Sequence, residues 1–247
     1  RPDTALDGKP KFDLKTFNQA YFDRLRSRVA SAGQRGVYVS IMLFEGHGLR
    51  ASKPPWRLDG HPFNAKNNIN GINGDPDGDG KGDETKTLSR IPAAVLRLQE
   101  AYVRKVVDTV NDLDNVLYEI ANESSDYSVE WQYHLIHYLE NYQSTKPKRH
   151  PVGMTSPAFG TPTNHRLFDS PAHWISPGTL KWESRTDPYA SGPPAADGEK
   201  VSILDTDHIG VSMFKNDPAF ARAWIWRSFM RGHNPIWMDD FELSDAN

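Results

Sequence analysis

The sequence predicts an α/β fold, a TIM-barrel-like (β/α) barrel with six of the usual eight strands, in a single domain over residues 1–247. Two observations predict it. Strand-length apolar runs alternate strictly with helical or loop-rich segments, the mark of a parallel sheet under helical cover. No Gly-rich phosphate loop follows any of these runs, which counts against the alternative architecture, a doubly wound open sheet. Length agrees, because barrels of this kind need about 250 residues.

Taken in order, residues 14–31 place Phe17, Tyr21, Phe22, Leu25 and Val29 near helical spacing, and Gly33 and Gly36 punctuate the exit. Val37 to Phe44 is apolar almost throughout, as in strands covered on both faces, and Glu45, Gly46 and His47 follow at once. A long Gly/Asn/Asp-rich stretch runs on to Lys86. Pro92 then opens a helix carrying Val95, Leu96, Tyr102, Val103, Val106, Val107 and Val110. Val116 to Ala121 is the next strand, ending on Asn122 and Glu123, and its helix carries Trp131, Leu135, Tyr138, Leu139 and Tyr142. Residues 151–155 and 174–176 read as short strands, and residues 181–199 are polar and broken by Pro and Gly. Residues 201–205 form a late strand, 220–230 a helix and 235–238 the last strand. If that strand is the eighth, the first two βα units are missing. Open strand edges and an apolar interior would then invite a homodimer or a complementing segment.

Composition narrows the partners. Basic and acidic residues nearly balance, 29 against 32 for a net charge of −3, so the chain carries no electrostatic footprint for nucleic acid or an anionic membrane. No apolar run approaches the ~18 residues of a membrane span. Cysteine is absent, which excludes disulfides, thiolate metal sites and thiol nucleophiles. Seven Trp, nine Tyr and eleven Phe suit sugar rings, whose apolar faces stack on indole and phenol.

In a barrel, catalytic groups sit at the C-terminal ends of strands. Those positions hold Glu45 and His47, Asn122 and Glu123, Asp205, Asp207 and His208, and Trp237. Cleaving a glycosidic bond needs two carboxyl groups, one protonated to assist the leaving oxygen and one ionised to attack the anomeric carbon or activate water. Glu123 pairs naturally with Asp205 or Asp207. A separation of about 5–5.5 Å gives a retaining mechanism, and about 6.5–9.5 Å an inverting one.

The run Tyr118-Glu119-Ile120-Ala121-Asn122-Glu123 resembles the fourth-strand Asn-Glu signature of clan A glycoside hydrolases, the family 5 cellulase-like barrels among them. The resemblance implies a polysaccharide-degrading hydrolase with Glu123 as acid/base and Asn122 on a sugar hydroxyl. It implies further that residues 201–205 deliver the nucleophile and that Trp237 floors the sugar site. Glu45, His47, His208, Trp174 and Trp182 complete the expected substrate-binding set. One departure is chemical: the clan's nucleophile is usually Glu, and an Asp is one methylene, about 1.5 Å, shorter. The other is the Arg of the clan's second strand, which this chain does not supply. Export to the extracellular space or periplasm follows from class alone, and no catalytic cofactor is required.

Asp75-Pro76-Asp77-Gly78-Asp79-Gly80-Lys81-Gly82-Asp83-Glu84 matches the start of an EF-hand-like loop, acidic at positions 1, 3, 5 and 9 with Gly at 6. A structural calcium on Asp75, Asp77, Asp79 and Asp83 is the expectation. Lys86 stands where the bidentate Glu belongs, with Glu84 as a substitute; a solvated acidic turn is the competing reading. For function, the alternatives are a carbohydrate-binding or catalytically silent barrel, and a metal-dependent hydrolase using Asp205, Asp207 and His208. Glu123 as a helix-dipole partner and the two aspartates as a strand-end turn are their structural counterparts.

Overall fold

The computed structural model describes residues 4–50, 57–155, 164–177, 198–205 and 218–236. Six parallel strands form one sheet in strictly sequential order: β1 (Val39–Glu45), β2 (Val116–Asn122), β3 (Val152–Thr155), β4 (Trp174–Ser176), β5 (Val201–Asp205) and β6 (Asn234–Ile236). A doubly wound sheet reverses its order at a switch point, and this one does not. Consecutive parallel order with helices between the strands is the (β/α) barrel arrangement the sequence predicts.

The helices are α1 (Gln19–Gly33), the four-residue α2 (His47–Arg50), α3 (Ala93–Val110), α4 (Val129–Gln143), α5 (Asn164–Phe168) and α6 (Pro218–Met230). On α3, Val95, Val103, Val106, Val107 and Val110 are fully buried on one face, as their spacing predicts. Each contributes about 1.5–3 kcal/mol of apolar burial. Val103, Val106, Val107 and Val110 share a core with Val116, Tyr118 and Ile120 of β2 and with Trp131, Leu135, Ile136 and Leu139 of α4. The first helix starts later than its apolar spacing suggests. Residues before it are held against the long loop instead: the Leu14 amide donates to Asn70 Oδ1 at 2.7 Å, and the Phe12 amide to the Asn67 carbonyl at 2.8 Å.

The expectation of a first strand covered on both faces is corrected. Ile41 and Leu43 are buried, but Ser40 and Met42, which alternate with them onto the opposite face of the sheet, are exposed, so one face of β1 is left uncovered among the described residues. β2, flanked by β1 and β3, is buried almost throughout. At the other end of the sheet, Trp226, Phe229 and Met230 of α6 and Ile236 of β6 are exposed.

The stretch between β1 and α3 is organised by its own side chains. Asn67 and Asn68 are buried, and their amides bridge the carbonyls of Asp59, His61, Pro62, Asn64 and Ile72. Side-chain amides thus replace a helix or strand ladder here.

Candidate active site and acidic loop

The parallel register sets Glu45 at the end of β1 directly beside Asn122 at the end of β2. One residue further on, Glu123 leaves the strand with φ +45°, a left-handed conformation that is uncommon for a residue with a Cβ and costs about 1 kcal/mol or more. Its carboxyl meets His47 across the rim, Oε2 to Nδ1 at 2.8 Å. The Glu45 carboxylate accepts the amides of His47 at 2.6 Å and Gly48 at 2.9 Å, which fixes the short turn that carries His47. Asn122, Glu123, Glu45 and His47 are therefore brought together, within reach of solvent: the side chains of Glu123 and His47 are 27% and 62% exposed.

Gly46 is required at this junction. A Cβ there would lie 2.6 Å from the Glu123 carbonyl oxygen and from Ser124 Cα, so the two strand ends touch backbone to backbone. The Gly46 amide donates to the Asn122 carbonyl at 2.8 Å.

The remaining predicted site residues divide. The backbone of Asp205 ends β5, at the same rim of the sheet. Its side chain, together with Asp207, His208, Trp182 and Trp237, lies outside the described residues. Trp174 leaves the substrate-binding set. It opens β4 and so stands at the far end of the strand from the rim, 5% exposed, its indole flat against Gly153 of β3. A lone Trp beside a strand end looks the same in sequence whichever end it marks.

The acidic loop separates its carboxylates into two kinds. Asp79 is taken by Lys81 and Asp83 by Arg90, so neither of these two expected ligands joins the cluster. Asp75, Asp77 and Glu84 bring ligand atoms within 4.8 Å of one another. Asp75 Oδ2 accepts the Gly80 amide at 3.1 Å and closes the loop, where φ +80° suits glycine. Asp75 Oδ1 and both oxygens of Glu84 are buried with no hydrogen-bond partner; the Arg90 guanidinium stands 3.9 Å from Glu84 and 3.6 Å from Asp77. Burial, with the charges of Asp77 and Asp83, pushes the Glu84 carboxyl up to about 7.

The residues after Glu84 tie this loop to the rim. Lys86, 4% exposed, donates from Nζ to the Glu45 carbonyl oxygen and lies 6.0 Å from the centre of the Trp131 ring. The Thr85 carbonyl accepts Gln99 Nε2 at 2.7 Å, and Gln99 in turn accepts the Trp131 indole N–H at 2.9 Å. At His61, burial first, then the Lys86 charge, lower the imidazole to about 3, so it stays neutral and accepts the Phe63 amide on Nδ1. Sequence reasoning missed His61 and the bridging role of Lys86. Their partners are far away along the chain and follow from no local spacing.

No family model matches the chain, and no curated protein does. Among solved structures, the chain is similar to endo-glycoceramidase II from Rhodococcus sp. in its ganglioside GM3 complex, with a TM-score of 0.52 and 12% identity. The match covers 97% of this chain and 71% of that one. At that identity the likeness bears on the fold, and it agrees with the barrel-type sheet described above. No helix among the described residues is long and apolar enough to cross a membrane.

Proposed function

We propose that the protein is a glycoside hydrolase acting on a poly- or oligosaccharide by retaining double displacement, with Glu123 as acid/base and Asp205 or Asp207 as nucleophile. The observation that carries the reading is the Glu123–His47 pair, 2.8 Å apart beside Glu45 and Asn122 at the C-terminal rim of consecutive parallel strands. In the first step Glu123 gives its proton to the glycosidic oxygen as the bond to the anomeric carbon breaks and the aspartate carboxylate bonds to that carbon. In the second, Glu123 takes a proton from water, the water oxygen bonds to the anomeric carbon, and the aspartate leaves. His47 positions the Glu123 carboxyl for both transfers, and Asn122 offers an amide to a sugar hydroxyl. Secretion or export to the periplasm accompanies this reading.

The likeness to a glycosidase fold supports the choice of substrates to try: cello-oligosaccharides and the glycan headgroup of GM3. Glu123→Gln keeps the shape and removes the titrating oxygen, so turnover should fall by at least about 100-fold while the melting temperature stays unchanged. Equal turnover by the variant would sink the assignment. Binding of these glycans without turnover by the wild-type protein would favour the carbohydrate-binding, catalytically silent barrel.

A further inference from the structure

We propose that the loop closing on Asp75, Asp77 and Glu84 is a calcium site, and that the bound ion fastens residues 57–91 to the rim of β1. The proposal stands apart from the reading of Glu123. Its ground is a mismatch between burial and bonding. Glu84 is 1% exposed, yet neither carboxylate oxygen accepts a hydrogen bond, and Asp75 Oδ1 is buried in the same condition. A buried acceptor left unmade costs about 1–3 kcal/mol, more when charged, so a fold that brings two such groups, Asp75 and Glu84, within 4.8 Å of each other and of the exposed Asp77 carboxylate calls for a cation.

Protein cations do not fill that role. Lys81 is engaged by Asp79, Lys86 reaches the Glu45 carbonyl, and Arg90 bonds closely to Asp83 while staying 3.9 Å from Glu84. Asp75, Asp77 and an ionised Glu84 would carry three negative charges, while Arg90 is already paired closely with Asp83; a divalent ion would offset most of that charge. An all-oxygen donor set with three convergent carboxylates suits calcium, which takes 6–8 oxygens in flexible geometry, better than magnesium, which keeps most of its water. Glu84 supplies from position 10 the carboxylate that an EF-hand takes from position 12. That shift frees position 12, Lys86, for the Glu45 carbonyl, and puts Thr85 and Lys86, both buried, between the ion and the rim.

The test is thermal unfolding of the whole protein after chelation, with and without calcium chloride, beside calorimetric titration of calcium alone into the chelated wild type. Calcium at a hundredfold excess over its dissociation constant should raise the wild-type melting temperature by about 5 °C or more. Glu84→Gln should abolish that shift, and its calcium-free form should melt no lower than the calcium-free wild type, since the substitution removes an unpaired buried charge. If Glu84→Gln does not fold, Asp77→Asn, at an exposed position, replaces it with the same expected loss of the calcium shift. No heat and no shift in the wild type, or a shift that survives either substitution, would overturn the site.

Discussion

Two groups of carboxylates stand either side of Lys86, and they differ in what surrounds them. On the rim, Glu45 and Glu123 are hydrogen bonded and reach solvent. In the loop, Glu84 is buried and its oxygens have no hydrogen-bond donor. A satisfied, accessible carboxyl can exchange its partner for a substrate at little cost, which is what a proton donor must do. A buried, unsatisfied one cannot wait for a transient partner; it needs a resident charge. Under the two proposals the same residue type would serve reaction in one place and architecture in the other, and the deciding variable is water.

The comparison makes crossed predictions. Glu123→Gln should cost at least about 100-fold in turnover and leave stability alone, whereas Glu84→Gln should act on stability and through calcium. Lys86→Met cuts the link between the two groups. Removing a buried, charge-assisted hydrogen bond should lower unfolding free energy by about 1.5–3 kcal/mol, measured by urea denaturation, while the calcium-induced rise in melting temperature persists. Loss of the calcium response in Lys86→Met would show that the loop and rim are not separable in this way. A further expected effect is acid sensitivity. His61, held at about 3 in the folded protein against about 6.5 unfolded, binds fewer protons when folded. Its contribution is intact above pH 6.5 and is lost progressively as pH falls toward 3. The urea midpoint should therefore drop between pH 7 and pH 5, and His61→Gln should flatten that drop. A slope identical in the variant would place the acid lability elsewhere.

Much of the frame was legible in the sequence because it depends on local pattern. The strands at 116–122, 152–155, 174–176 and 201–205 fall where apolar runs said they would, and α3 buries the valines its spacing set on one face. The first strand was misread for a physical reason: an apolar run reports what could be covered, and Met42 shows that one face is left open among the described residues. In the candidate site, the position of Glu123 just past a strand end was readable from the apolar run before it. Its pairing with His47, 76 residues away, was not, since only the register of β1 on β2 brings the two together. Within the acidic loop the spacing of Asp75 and Asp77 was informative, but spacing alone could not sort Asp79 and Asp83 from Glu84. Lys81 and Arg90 do that sorting, and burial decides the rest.

The left-handed backbone at Glu123 has a consequence for anyone improving this protein by selection. A glycine there would shed the strain of about 1 kcal/mol and, judged by heat resistance alone, would rank among the winners. A screen that scores only survival would in that way breed out the proposed proton donor, so the ranking of variants at this one position would separate a catalyst from a scaffold.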